Sequence, residues 1–136
     1  MEALGRTLNV VPTADGVYAN ARDCSAVTFV CTGADTYTIT EATDAAGTGA
    51  QSLVVVDHYY ANTSAAGAAA WTHEEQTAAA AVTIAAGVAV IEVSTKALSD
   101  GFTHLACAST AAGLVTAVTS DLAVQRAPQN LPAVAA

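Results

Sequence analysis

Only four of the 136 residues are basic, Arg6, Arg22, Lys96 and Arg126; they are scattered, and twelve Asp and Glu bring the formal charge to −8. Affinity for nucleic acid comes mostly from Lys and Arg neutralising phosphates, so this balance argues against direct binding of DNA or RNA. An acidic surface that keeps the protein in solution is the plainer use of the charge. Cysteine is sparse as well: Cys24, Cys31 and Cys107 form an odd set without CxxC spacing. That set fits reduced thiols better than a disulfide framework, and a Cys24–Cys31 bridge is not expected. No apolar run reaches the length of a membrane span. The longest, AAAAVTIAAGVAVIEV from Ala78 to Val93, is mostly Ala and is broken by Thr83 and Gly87. The start, MEALGRTLNVVPTADG, lacks a basic patch followed by an apolar stretch, so no secretory signal is expected and synthesis in a cytoplasm is.

Signature motifs are missing too. A serine hydrolase needs its nucleophile on a strained turn such as GxSxG, which does not occur. Neither a P-loop nor GxGxxG is present, and GTGAQS (47–52) lacks the Lys and the following helix pattern of a phosphate cradle. No nucleotide site, cofactor or metal centre is therefore expected, and the chain does not read as an enzyme.

At this length one domain over 1–136 is the default, able to bury a core without disulfides or metal. About a quarter of the chain is Ala, while Leu, Ile and Phe are few. The core should accordingly be thin, Val-rich and small in its side chains.

Most segments carry the strand signature, short Val, Ile and Thr-rich runs bounded by Gly, Asp, Asn or Ser. SAVTFVC (25–31) and DTYTITEAT (35–43) flank TGAD and read as a hairpin; in the second run Tyr37 and Ile39 alternate with Thr36, Thr38 and Thr40. SLVVVDHYY (52–60) reads as a strand buried on both faces, and ANTSAAGAAA (61–70) as a surface loop. WTHEEQTAAAAVTIAAG (71–87) is ambiguous: Thr72 and Glu75 are spaced as a capping box and Ala favours helix, but Val82 and Ile84 alternate around Thr83. A strand at about 80–85 is preferred. VAVIEVST (88–95), FTHLACAST (102–110) and LVTAVTS (114–120) read as strands, KALSDG (96–101) as a turn, and LAVQR (122–126) as an edge strand. Some eight to ten short strands indicate an all-β fold, an antiparallel sandwich or barrel. Pro128 and Pro132 exclude the tail from a sheet interior and favour an extended arm. The expected layout is an N-terminal arm over 1–13, a β core over 14–126 and a C-terminal arm over 127–136.

Three places resemble chemistry. His104 and Cys107 are three apart, but on a strand that spacing points them to opposite faces, so they do not share a metal. DHYY (57–60) and WTHEE (71–75) hold acid/base groups and, in Tyr59, Tyr60 and Trp71, a candidate aromatic platform for sugars. Adjacent carboxylates more often sit on a solvated loop, and single Tyr or Trp residues more often cap a core.

WT followed by VTIAAGVAVIEVST, then ALSDGFTHLACAST and GLVTAVTSDLAVQRAPQNLPA, within an acidic Ala/Thr/Val-rich chain, resembles small head proteins of tailed bacteriophages. The likeness, one of texture and segment order, is especially to decoration or minor capsid proteins from phages of actinobacteria, over roughly residues 20–132. The resemblance implies a non-enzymatic virion protein made in the host bacterial cytoplasm. It would bind the major capsid protein on the outside of an assembled head, often as a trimer, with no nucleic-acid or membrane partner. Terminal arms suit pairing with neighbouring subunits by strand addition, which singles out Leu8, Val10, Pro12, Arg126, Pro128, Asn130, Leu131 and Pro132. Two alternatives stand beside this reading: a tail-tube or head–tail connector subunit, and a carbohydrate-binding module.

Overall fold

A computed structural model describes residues 2–136. Eleven strands follow one another: β1 (Leu8–Val11), β2 (Ala19–Asn20), β3 (Ala26–Thr32), β4 (Asp35–Ala42), β5 (Gln51–Ser52), β6 (Val56–Asn62), β7 (Thr72–Ala79), β8 (Ala81–Ile84), β9 (Val88–Ser94), β10 (His104–Ser109) and β11 (Leu114–Ser120). Single 3₁₀ turns lie at Thr95–Ala97 and Pro128–Asn130. One sheet has the order β1-β11-β3-β9-β6-β7; the other has β2-β10-β4-β5, with β8 beside β5 on the same edge of β4. All the strand pairs are antiparallel and the two sheets pack face to face, so the fold is the expected all-β sandwich.

Alternation explains which side of each strand is buried. Val27, Phe29 and Cys31 of β3, Ala89, Ile91 and Val93 of β9, and Val115 and Ala117 of β11 face inward from the six-stranded sheet. They meet Tyr37 and Ile39 of β4, Val82 and Ile84 of β8, and Leu105 and Cys107 of β10. Val and Ala fill much of this layer, with Tyr37 and Phe29 as its largest side chains.

Several sequence expectations need correction. The run 25–31 and the run 35–43 do not form a hairpin: β3 and β4 belong to opposite sheets, and the residues between them arch across the core. Both strands carry large apolar side chains on one face, and placing those faces against each other buries more of them than laying the strands side by side. The links β8 to β9 and β10 to β11 cross between the sheets in the same way. Gly87 makes the β8–β9 crossing with φ of +74°, where any Cβ would collide with the main chain of Asn62 and Thr63.

The expected continuous strand 52–60 is divided. β5 pairs with β4, the chain changes sheet over Leu53–Val55, and β6 continues in the other sheet. Thr72–Ala79, within the stretch left ambiguous between helix and strand, is the edge strand β7, and one residue, Ala80, separates it from β8 in the opposite sheet. The Gln76 amide holds this corner by donating to the main-chain oxygens of Val56 and Ala81 at 2.9 and 3.1 Å. Ala-rich sequence favours helix locally, but it yields here to the pairing of β6 with β7 and of β4 with β8. The preferred strand at 80–85 is present as β8.

Residues 122–126 form no strand, because Ala123 and Arg126 spend their amides on the main-chain oxygens of Asp23 and Gly5. Nor do the termini project. Residues 8–11 are a strand of the sheet, and the tail folds back so that Val134 packs on the core and accepts the Asn20 amide at 2.8 Å. No helix is long and apolar enough to cross a membrane among the described residues.

Candidate functional site

Several carboxylates are occupied in holding the fold. Asp35 accepts from the amides of Thr36, Ala111 and Gly113 at 2.7, 3.0 and 2.9 Å and from both the amide and the hydroxyl of Thr110. Those bonds, led by the Thr110 hydroxyl, hold its carboxyl well below the usual carboxylate range. Asp15 clamps the amide and hydroxyl of Ser109, both at 2.7 Å. Glu41 is fully buried; burial pushes its carboxyl up, but bonds from Ser99 and from Gln51 outweigh that and bring it below its ordinary value. No buried side-chain nitrogen or oxygen lacks a partner among the described residues.

His104 and Cys107 point to opposite faces of β10, as alternation requires. Cys107 enters the core, whereas the His104 ring lies outside the sheet beneath the tail. Its Nδ1 is 2.7 Å from Thr103 Oγ1, and its Nε2 donates to the main-chain oxygen of Ala136 at 3.0 Å. Among the described residues no group of three or more His, Cys, Asp or Glu is placed to hold a metal ion.

The hairpin β6–β7 gathers several polar aromatic groups. His58, Tyr60 and His73 cluster on its outer face, with ring centroids 5.2 to 6.2 Å apart. Asp57 lies 2.7 Å from His58 Nδ1, which lowers the Asp57 carboxyl, and Glu75 lies 3.9 Å from His73 Nδ1. WTHEE is thus edge strand rather than loop.

The residues singled out at the two termini separate into different surfaces. Arg126, Leu131 and Pro132 line a cleft of about 120 Å³ with Asn9, Asp23 and Cys24. Burial and the neighbouring Asp23 push the Cys24 thiol up to about 11, which leaves it a poor nucleophile. Pro128 and Asn130 occupy the 3₁₀ turn outside this cleft, and Pro12 gives its carbonyl to the Thr116 hydroxyl at 3.1 Å. Leu8 and Val10 are elsewhere again, on the outer side of β1.

That outer side belongs to the uncovered face of the six-stranded sheet. Val10 pairs with Val118, and Val118 with Thr28; Thr116 pairs with Val30, Val30 with Val90, Val90 with Tyr60 and Tyr60 with His73. Because each pair lies side by side across the sheet, these residues form two parallel rows on its outer face. Val10 and Tyr60 are 37% and 46% exposed, and Leu114, at the margin of the same face, is 67% exposed. Glu92 is the one charged residue pointing outward from β1, β11, β3 and β9 among the described residues. Glu92 ends the first row beside Thr28, and Glu75 lies beside His58 at the edge, so in a chain of charge −8 few acidic groups sit on this face. The opposite sheet differs: its outward residues are chiefly Thr and Ala, including a Thr36–Thr83 hydroxyl pair at 2.9 Å, and the tail and Tyr18 cover part of it.

The outward Val residues escaped sequence reasoning, although VTFVCT, VAVIEVS and LVTAVTS carry the signal. Each puts Val at alternate positions that a fully one-sided strand gives to polar residues. Compared with protein-family models, with curated proteins and with solved structures, the chain matches none.

Proposed function

We propose that this protein is a non-enzymatic structural subunit that docks a flat sheet face onto a protein shell, decorating or cementing the head of a tailed phage. The observation that carries this reading is the outer face of the six-stranded sheet, where Val10 lies beside Val118 in one row, Val30, Val90 and Tyr60 lie side by side in the next, and Glu92 is the one charged residue pointing outward from β1, β11, β3 and β9 among the described residues. Contiguous apolar surface of this kind marks protein interaction sites, and a flat β-branched face suits a broad, rigid partner better than a small ligand. The partner proposed from the resemblance is the major capsid protein, with a trimer as the assembled form. The net charge of −8, with few acidic residues on this face, favours an outer location, away from packaged genome. Binding across subunit boundaries would raise the temperature or force at which the shell opens.

The test mixes purified protein with phage heads lacking it and measures occupancy by sedimentation. Saturation at a fixed ratio, lost in Val30→Asp/Val90→Asp but retained in Thr38→Asp on the opposite sheet, supports the reading. Equal occupancy by all three proteins overturns the assigned face, and rings or filaments without head binding move the protein to the tail.

A second reading, glycan binding, rests on Trp71, 55% exposed and two residues before His73 of the His58, Tyr60 and His73 cluster. Exposed aromatic rings can serve as stacking platforms. Binding on a glycan array that disappears in a folded Trp71→Ala variant supports it; an array without binding removes it.

A further inference from the structure

Two of the three cysteines meet where the sequence offered no reason to pair them. Cys31 points inward from β3 and Cys107 inward from β10, one from each sheet, and both are fully buried. Their Sγ atoms lie 3.6 Å apart. Cys24 is only half-buried and lines the cleft instead.

We infer that Cys31 and Cys107 are a covalent modification site, a latent disulfide that ties the two sheets together through the core when the protein meets an oxidant. A bonded pair needs its sulfurs at about 2.05 Å, so they must approach by roughly 1.5 Å, a movement shared between two side chains. The neighbours leave room for it: Cys31 lies between Ala89 and Val115 in its sheet, with a small residue on one side. Disulfides joining the two sheets are an established solution in other β-sandwiches.

The oxidant is a small-molecule disulfide of the glutathione class. A thiolate of one cysteine attacks it, the oxidant's S–S bond breaks, and one thiolate leaves and takes up a proton. The second cysteine, as thiolate, then attacks the first cysteine's sulfur in the mixed disulfide and expels the other half of the oxidant. Two protein thiols are oxidised and one disulfide is reduced to two thiols. In the closed fold this is slow, because the contact with Cys31 and, after it, burial raise the Cys107 thiol and no oxidant reaches it. The bond therefore forms during folding or in transient opening of β3 from β10. Once formed it closes a span of 76 residues, which restricts the unfolded chain.

The test refolds the full chain from denaturant, once in a glutathione redox buffer and once in excess reductant. Each product is alkylated in denaturant, and its mass, non-reducing peptide map and urea midpoint are measured. The expected result is one alkylated thiol, Cys24, with a Cys31–Cys107 linked peptide and a raised midpoint in the redox buffer, against three alkylated thiols in reductant. Cys24→Ser should keep the linked peptide and the midpoint shift, and Cys31→Ala/Cys107→Ala should lose both. Three alkylated thiols under both conditions, a linkage involving Cys24, or an unchanged midpoint in the linked form overturns the proposal.

Discussion

The ring of Tyr37 fills the space in which Gly113 would carry a side chain: a Cβ there would come within 2.7 Å of two ring carbons. Tyr37 is fully buried, its hydroxyl reaches the main-chain oxygens of Thr32 and Gly33 at 2.9 and 2.7 Å, and burial pushes the phenol up to about 12. The β3–β4 and β10–β11 crossings thus lock against one another at one end of the sandwich. Gly113→Ala is expected to cost about 1–3 kcal/mol, the range for overpacking a filled core. Urea denaturation measures this, and an unchanged midpoint would show that the ring can retreat.

Acid should loosen the same end. The Asp35 carboxyl is held low by Thr110, Gly113, Thr36 and Ala111. A depressed carboxyl contributes stability that is fully present above its unfolded value of about 4 and is lost as the pH falls through the folded value. Unfolding free energy is therefore expected to decline from about pH 4 downward. Asp35→Asn should be less stable at pH 7 and show a shallower acid slope; Glu41, Asp44 and Asp57, also lowered, sustain the remainder. Identical slopes in the two proteins would assign the acid sensitivity elsewhere.

The tail depends on His104. With the ring bond to Ala136 removed, only Asn20 among the described residues holds this stretch by hydrogen bonds, through its amide to Val134 and its side chain to Ala136. His104→Ala should speed hydrogen exchange of the Asn20 amide on the order of tenfold, as expected for losing about one hydrogen bond's worth of stability. The amide of Phe29, in the sheet centre, serves as reference. Equal acceleration at both amides would mean global destabilisation rather than release of the tail.

Adjacent residues of β9 should behave in opposite ways. Ile91 is fully buried, and Ile91→Ala is expected to cost about 2–5 kcal/mol. Val90 faces outward, so Val90→Lys should change stability by less than about 1 kcal/mol while abolishing docking. A large stability loss in Val90→Lys would mean that the face is packed within the molecule.

The all-β class, most of the strand positions, the opposed faces of His104 and Cys107 and the strand at 81–84 were legible in the sequence, because alternation and turn residues are local signals. The hairpin expected at 25–43 and the strand expected at 52–60 failed for a different reason. A Gly-containing turn looks the same whether the chain folds back beside itself or crosses to the facing sheet, and that choice belongs to the core. The docking face was hidden similarly. Val30 and Val90 read as further core residues until the register showed which side of the sheet is covered.

Composition and period by themselves determined that this chain would form short strands around a small-residue core with acidic residues at its surface, since each of those follows from side-chain size, branching and charge. Tertiary structure decided which strands share a sheet, which Val residues stay uncovered, that the termini fold back, and that Cys31 meets Cys107 across 75 intervening residues. Such contacts arise from packing one sheet against another, and no local rule of sequence encodes the partner a side chain finds across the core.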